Sequence, residues 1–272
     1  MKRSLIEINN LFIDVVMTEG HGDAIILLHG NSSSWRSFEF LFSSKLAEKY
    51  QIIAINLPGH SNSNLPIDFY LSIPSLADLI VEVVHAISPK RYLLVGHSVG
   101  GHIFSHSIQR MTDCNGLILI SAPPVSMKTL SAAFKSDPCE GAIFTSELTS
   151  EKKELMVKAL LGDIADDSKA FNQLYESITG TDGLFRQKLG ESLMQGKLLD
   201  EYEAIQDSKT PTALMWGGQD SFIQPDFCAG ITFNNPLGLG AYLFKNAGHS
   251  PHLSNSLMFE KILGDLAEKS MS

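Results

Sequence analysis

Short apolar runs rich in β-branched residues alternate with amphipathic stretches along most of this chain. The runs fall at residues 12–16, 24–28, 51–55, 92–95, 117–120, 212–216 and 241–244. Several are apolar at every position, as strands buried on both faces of a parallel sheet must be. Between them, helical spacing predicts helices over 36–48, 75–87 and 99–111, with a closing helix over 255–267. Strand and helix alternating in this way give the α/β class. The rhythm breaks after Ile120-Ser121-Ala122-Pro123-Pro124, and mostly helical pattern follows until a strand begins near Pro211. Helices are expected there over 151–161, with Thr149 or Ser150 as the cap and Gly162 as the stop, over 168–178, and over 184–194 after a Gly180-Thr181-Asp182-Gly183 turn. An insertion between the C-terminal end of one strand and the next lies on the edge where doubly wound sheets bind ligands, so a helical lid is expected. The core then comprises 1–123 and 209–272, and the cap 124–208.

Composition narrows the class. At 272 residues and 44% apolar content the chain can bury a large core. A net charge of -9 without any Lys/Arg run excludes a polyanionic partner such as nucleic acid. Cys114, Cys139 and Cys228 are too widely spaced for a disulfide framework or a structural zinc site, and read as reduced thiols. The N-terminus is charged without a continuous apolar stretch, and no segment reaches a membrane-spanning length. A cytoplasmic location and no membrane partner are therefore the expectation.

The stretch Gly96-His97-Ser98-Val99-Gly100 carries the chemistry. It sits where a buried strand turns into a helix, and the glycines let the two approach closely enough to push the Ser98 hydroxyl outward. A serine hydroxyl is a weak nucleophile until a base takes its proton, and that base needs a partner to set its tautomer. Of nine histidines, His249 is the best base, because Asn246-Ala247-Gly248-His249 forms a loop just past the last strand. Asp220, in Gly217-Gly218-Gln219-Asp220 after the penultimate strand, is the acid, and Ala122-Pro123-Pro124 offers no rival carboxylate. Asp226, beside Pro225, is the other candidate acid and reads as a helix cap. An oxyanion hole needs two donors. The N–H of Val99 is one; the N–H of Asn31, in the turn His29-Gly30-Asn31, is the other, with its side-chain amide within reach of substrate.

The elbow, His29-Gly30, Leu57-Pro58-Gly59-His60-Ser61, Gly218-Gln219-Asp220 and Gly248-His249 together resemble the α/β-hydrolase superfamily over the whole chain. Longer strings, His29-Gly30-Asn31-Ser32-Ser33-Ser34, Gly100-Gly101-His102-Ile103, Pro123-Pro124-Val125 and Phe134-Lys135-Ser136 among them, further resemble its metal-independent N-acyl-homoserine lactone hydrolases. The resemblance implies an α/β-hydrolase fold: a mostly parallel, doubly wound sheet with a helical cap inserted after the sixth strand. It also implies a Ser-His-Asp triad of Ser98, His249 and Asp220 acting on a small ester or lactone without cofactor or metal. Phe134, Phe144, Met156 and Leu160 are the expected apolar walls of the acyl site. Trp35 is expected to pack near the oxyanion turn, with ligand contact as the alternative. The chain departs from that branch in carrying Ser221 after Asp220, where the branch can use a glutamate as its acid, and Met156 near an expected tyrosine. A carboxylesterase for another ester or lactone uses the same machinery, and a receptor-like member with little turnover is the alternative of another class. His60 and His97 read as structural. His102 and His106 stand one turn apart, a spacing that could hold zinc, but no third ligand is evident and the H-x-H-x-D-H run of metallo-lactonases is absent.

Overall fold

The computed structural model describes residues 1–20, 22–162, 168–196 and 198–272. In chain order the elements are β1 (Lys2–Ile8), β2 (Leu11–Met17), β3 (Ala24–Leu28), a 3-10 run (Trp35–Ser43), α1 (Leu46–Lys49), β4 (Gln51–Ile55), α2 (Ile73–Ile87), β5 (Tyr92–His97), α3 (Val99–Ser107), a 3-10 turn (Ile108–Arg110) and β6 (Cys114–Ile120). There follow α4 (Leu130–Ala133), a 3-10 turn (Ala142–Phe144), α5 (Ser150–Leu161), α6 (Ser168–Gly180), α7 (Gly183–Met194), α8 (Glu201–Ser208), β7 (Thr212–Gly217), α9 (Pro225–Ala229), β8 (Pro236–Phe244), α10 (Pro251–Ser254) and α11 (Ser256–Met271). The strands form one sheet in the order β1-β2-β4-β3-β5-β6-β7-β8. From β4 to β8 all neighbours are parallel; β1 and β2 join antiparallel at one edge.

Apolar side chains fill both faces of this sheet. On one, Ile26, Leu28, Leu94 and Leu119 meet Leu76, Ile80 and Val83 of α2 and Ile103 and Phe104 of α3. On the other, Ile25, Leu27, Val95 and Ile118 meet Phe38, Leu41 and, from α11, Phe259 and Leu263. Strands sandwiched in this way must be apolar throughout, and β3 is buried at every position. The insertion builds a third apolar cluster from Met156, Val157, Leu160 and Leu161 of α5 and Leu174 and Ile178 of α6. Among the described residues, no helix is long and apolar enough to cross a membrane.

Several elements differ from expectation for local reasons. The N-terminal residues form β1, which alternates exposed and half-buried positions and pairs with β2 from Lys2 opposite Met17 to Ile8 opposite Leu11. An antiparallel edge strand with a solvated face needs no continuous apolar run. The helix expected over 36–48 is a 3-10 run followed by α1: Ser34 Oγ accepts from the Arg36 N–H at one end, and Ser44 Oγ donates to the Leu41 carbonyl at the other. Serine side chains that bond nearby backbone compete with α-helix in this way. The helix after Ser98 likewise tightens to 3-10 beyond Ser107, where the hydroxyls of Ser105 and Ser107 donate to Gly101 and Phe104 carbonyls. In the insertion Thr149 is the cap, accepting from the Lys152 N–H, and Gly162 at φ 68° ends α5. Helix α8 was not read from the pattern. Asp226 lies in the first turn of α9, whose cap position is Gln224, so the reading of Asp226 as the cap is corrected by two residues.

Candidate active site

β5 delivers the chain to Ser98 and α3 takes it away. Ser98 itself sits at φ 51°, ψ -122°, backbone that residues with a Cβ rarely adopt. Its N–H donates to the Ile120 carbonyl at 2.8 Å, so β6 holds the strained turn in place. Gly100 is needed for close approach: a Cβ there would stand 2.4 Å from the Leu28 carbonyl oxygen. The hydroxyl of Ser98 meets His249 Nε2 at 3.0 Å, and His249 Nδ1 meets Asp220 Oδ2 at 2.7 Å. A carboxylate can only accept, so Nδ1 carries the proton and Nε2 is free to accept from the serine. Asp220 is fully buried, and its Oδ1 accepts the N–H groups of Phe222 at 2.8 Å and Ile223 at 3.1 Å. Burial pushes this carboxyl up, but the His249 imidazole and the two backbone donors outweigh it and hold it below the ordinary carboxylate value.

Neighbouring segments hold the loops that carry Asp220 and His249. Lys135 Nζ donates to the Asp220 carbonyl at 2.5 Å, and residues around Phe134 pair with those around Ile223. His97 Nε2 donates to the His249 carbonyl at 2.9 Å, while burial lowers the His97 pKa to about 3. The C-terminal end of α5 reaches both loops: Ser221 Oγ donates to the Ala159 carbonyl at 2.8 Å, and the Ser250 N–H donates to the Leu160 carbonyl at 2.9 Å.

The turn at His29-Gly30-Asn31 lies against the elbow, since a Cβ on Gly30 would stand 3.1 Å from the Ser98 Cβ. Among the described residues, the main-chain N–H groups of Asn31 and Val99 donate to no protein acceptor, which leaves both available to an oxyanion. The Asn31 side chain is committed elsewhere. Its Nδ2 donates to the Ile143 carbonyl at 2.7 Å and its Oδ1 accepts from Ser32 Oγ at 3.0 Å. His29 and His60 brace the turn, each donating through Nδ1 to a carbonyl, Gly30 and Pro58 respectively, and accepting through Nε2 from the N–H of Leu57 and Ser32. That pattern requires neutral rings, and burial holds His29 down to about 4 and His60 well below its ordinary value.

The expected wall residues are dispersed. Met156 is 1% exposed inside the cluster of α5 and α6, and Leu160 belongs to the same cluster. Both reach the site through Phe222, which packs on that cluster and sets its ring 4.7 Å from that of His249. Phe222 was missed in the sequence, since nothing in its spacing marks it. Phe134 is half-buried with its ring 6.0 Å from His102. Phe144 lies over Gly190 of α7 and is 39% exposed, and Trp35 is buried in the core edge-on to Phe42. Trp35 thus packs in the core, as its place next to the His29-Gly30-Asn31 turn led one to expect, while Phe144 packs on α7 with part of its ring exposed.

His102 and His106 meet Glu201, which the sequence did not single out. The Glu201 carboxylate accepts from His102 Nδ1 at 2.9 Å and from the Val125 N–H at 3.0 Å, with His106 Nε2 3.4 Å away. Burial pushes this carboxyl up, but the two imidazoles outweigh that and hold it low. Among the described residues no group of three or more His, Cys, Asp or Glu side chains is arranged to hold a metal ion.

The chain is similar in fold and sequence to known hydrolases. The structure superposes on a mutant of the N-acyl homoserine lactonase AidH complexed with N-hexanoyl homoserine, with TM-score 0.89 and 26% identity, covering 99% of this chain and 97% of that one. A pimeloyl-[acyl-carrier protein] methyl ester esterase of Xanthomonas oryzae pv. oryzae is 25% identical over 256 residues, covering 90% of this chain and 94% of the esterase. Uncharacterized proteins of Mycobacterium tuberculosis and Mycobacterium bovis are 33% identical over 122 residues, which are 43% of this chain and 33% of theirs. The chain thus spans about a third of the length of these curated relatives. A sequence model of the alpha/beta hydrolase family matches residues 25–260, and with the elbow and sheet order described above, the chain belongs to the alpha/beta hydrolase family.

Proposed function

We propose that the protein is a serine hydrolase that opens the lactone ring of N-acyl-homoserine lactones. The observation that carries the reading is the chain of contacts from Ser98 Oγ to His249 Nε2 and from His249 Nδ1 to Asp220, on a fold similar to the AidH lactonase. Ser98 Oγ attacks the lactone carbonyl while its proton passes to His249 Nε2, and Asp220 stabilises the imidazolium. The N–H groups of Val99 and Asn31 hold the oxyanion of the tetrahedral intermediate. Collapse breaks the ring C–O bond, and His249 protonates the departing alkoxide, which stays tethered to the acyl group. Water, deprotonated by the same histidine, then cleaves the ester to Ser98 and releases the open-chain acyl-homoserine. Residues 124–208 act as the cap, and the apolar surface of Phe134, Phe222 and the α5 cluster receives the acyl chain, at roughly 0.8 kcal/mol per buried methylene.

A carboxylesterase for another small ester is the second reading, favoured by similarity to the methyl ester esterase along most of the chain. Incubation with acyl-homoserine lactones of short and long chain separates the two. Gain of one water with the amide intact is the expected product by mass. Cleavage of simple esters with no lactone turnover would overturn the lactone assignment. A fluorophosphonate should label Ser98, and Ser98→Ala should abolish both labelling and turnover without unfolding the protein. Folded wild-type protein that resists the probe would favour a binding role instead.

A further inference from the structure

Arg186 projects from α7, in the insertion, and is 4% exposed, yet among the described residues it pairs with no carboxylate within salt-bridge distance. Among the described residues its guanidinium donates to neutral oxygens: from Nε to the Thr145 carbonyl at 2.8 Å, from one terminal nitrogen to the Ser146 carbonyl at 2.9 Å, and from the other to Ser32 Oγ at 3.3 Å. The exposed Asp182 carboxylate, four residues back at the start of α7, acts on this cation only across a distance, and a buried cation outside an ion pair is expensive to keep, so its place calls for a use. The bonds run on from it in one direction. Ser32 Oγ, accepting from Arg186, turns its own proton to Asn31 Oδ1 at 3.0 Å, and Asn31 Nδ2 donates back to the insertion at the Ile143 carbonyl. Ser32 also carries strained backbone at φ 56°, and its N–H is held by His60 Nε2. His60 is in turn packed edge-on by Phe185, the residue before Arg186. Strain of this kind persists only where surrounding contacts over-determine it.

We propose that Arg186 and Ser32 are positioning residues by which the inserted helices hold the Asn31 N–H on the developing oxyanion and bring a positive charge to that side of the site. The proposal rests on the serine-hydrolase reading above. It makes the oxyanion hole a joint product of core and insertion: the core supplies the donors, and α7 supplies the charge and the bonds that orient one of them. The charge acts on the tetrahedral state, in which the carbonyl oxygen turns negative, and hardly on the neutral substrate.

The test uses full-length Arg186→Met, Arg186→Lys and Ser32→Gly proteins. Glycine adopts the backbone at position 32 without strain, so Ser32→Gly removes the bonds while sparing the fold. Rates on an aryl ester are expressed per active site, counted by complete fluorophosphonate labelling, and affinity is measured for an arylboronic acid, which mimics the tetrahedral state. Arg186→Met and Ser32→Gly should each lose about 10- to 100-fold in kcat per site, lose boronate affinity in parallel, and keep KM within about threefold. Arg186→Lys, which keeps the charge, should recover part of the loss. Unchanged kcat per labelled site with fewer sites labelled would mean that Arg186 only supports the fold, and would overturn the proposal. So would a rise in KM alone. Wild-type protein that neither labels nor binds boronate would instead overturn the hydrolase reading itself.

Discussion

At the scale of single residues, the histidines divide by environment. His249 has a carboxylate on one nitrogen and a serine on the other, whereas His29, His60, His97 and His252 are buried and held neutral. Among the described residues His252 has no hydrogen-bond partner on either ring nitrogen, and it stacks on Phe38 at 4.9 Å between centroids. The consequence for stability has a definite sign. Native pKa values of about 4 for His29 and about 3 for His97, against 6.5 unfolded, mean that the unfolded chain binds more protons as pH falls below 6.5. Stability from these groups is therefore present above pH 6.5 and lost on the acid side, by about 2 kcal/mol each at pH 5. Urea midpoints at pH 7, 6 and 5 should fall in that order. His252→Phe should flatten the fall by about one proton, and an unchanged slope would show that His252 is already charged in the native state.

At the scale of elements, α5 is the one whose docking bears most on the site. Its periodicity, its Gly162 stop and a cap at Thr149 or Ser150 were legible, but its partners were not: its last turn accepts from Ser221 in the loop that carries Asp220 and from Ser250 in the loop that carries His249. Gly248 lets the His249 loop lie against it, for a Cβ there would stand 2.8 Å from the Leu161 carbonyl oxygen. Gly248→Ala should cost about 1–3 kcal/mol in overpacking and, by shifting His249, lower the rate per active site about 10- to 100-fold. Thermal unfolding and titrated ester hydrolysis measure the two effects separately. A destabilised variant with the wild-type rate per site would mean that α5 moves alone and leaves the His249 loop in place.

At the scale of the whole molecule, the insertion leaves the sheet after β6 and returns before β7, and Glu201 joins both ends to the helix behind Ser98. Its carboxylate takes the Val125 N–H, its own N–H donates to the Val125 carbonyl, and His102 and His106 of α3 face it. Removing one side of such a buried cluster leaves polar groups unpaired, so Glu201→Ala should destabilise the protein by about 3–5 kcal/mol in chemical denaturation. Glu201→Gln, which retains an acceptor for Val125, should lose less. Equal stability of Glu201→Ala and wild type would show that insertion and core are held by apolar packing alone.

Sequence determined what depends on neighbours along the chain. Apolar runs marked the buried strands because two covered faces leave no polar positions, and the elbow was visible because strand, serine and glycines are consecutive. The order of Ser98, Asp220 and His249 could be read because each follows a strand end. Tertiary structure decided what depends on residues far apart. Pairing with β2 makes the polar N-terminal segment a strand, and Glu201, Arg186 and Phe222 matter through groups 99, 154 and 27 positions away, at His102, Ser32 and His249. No local pattern encodes such a meeting, because the free energy that selects it comes from closing the sheet and burying the insertion upon it, not from the chain segment that carries each residue.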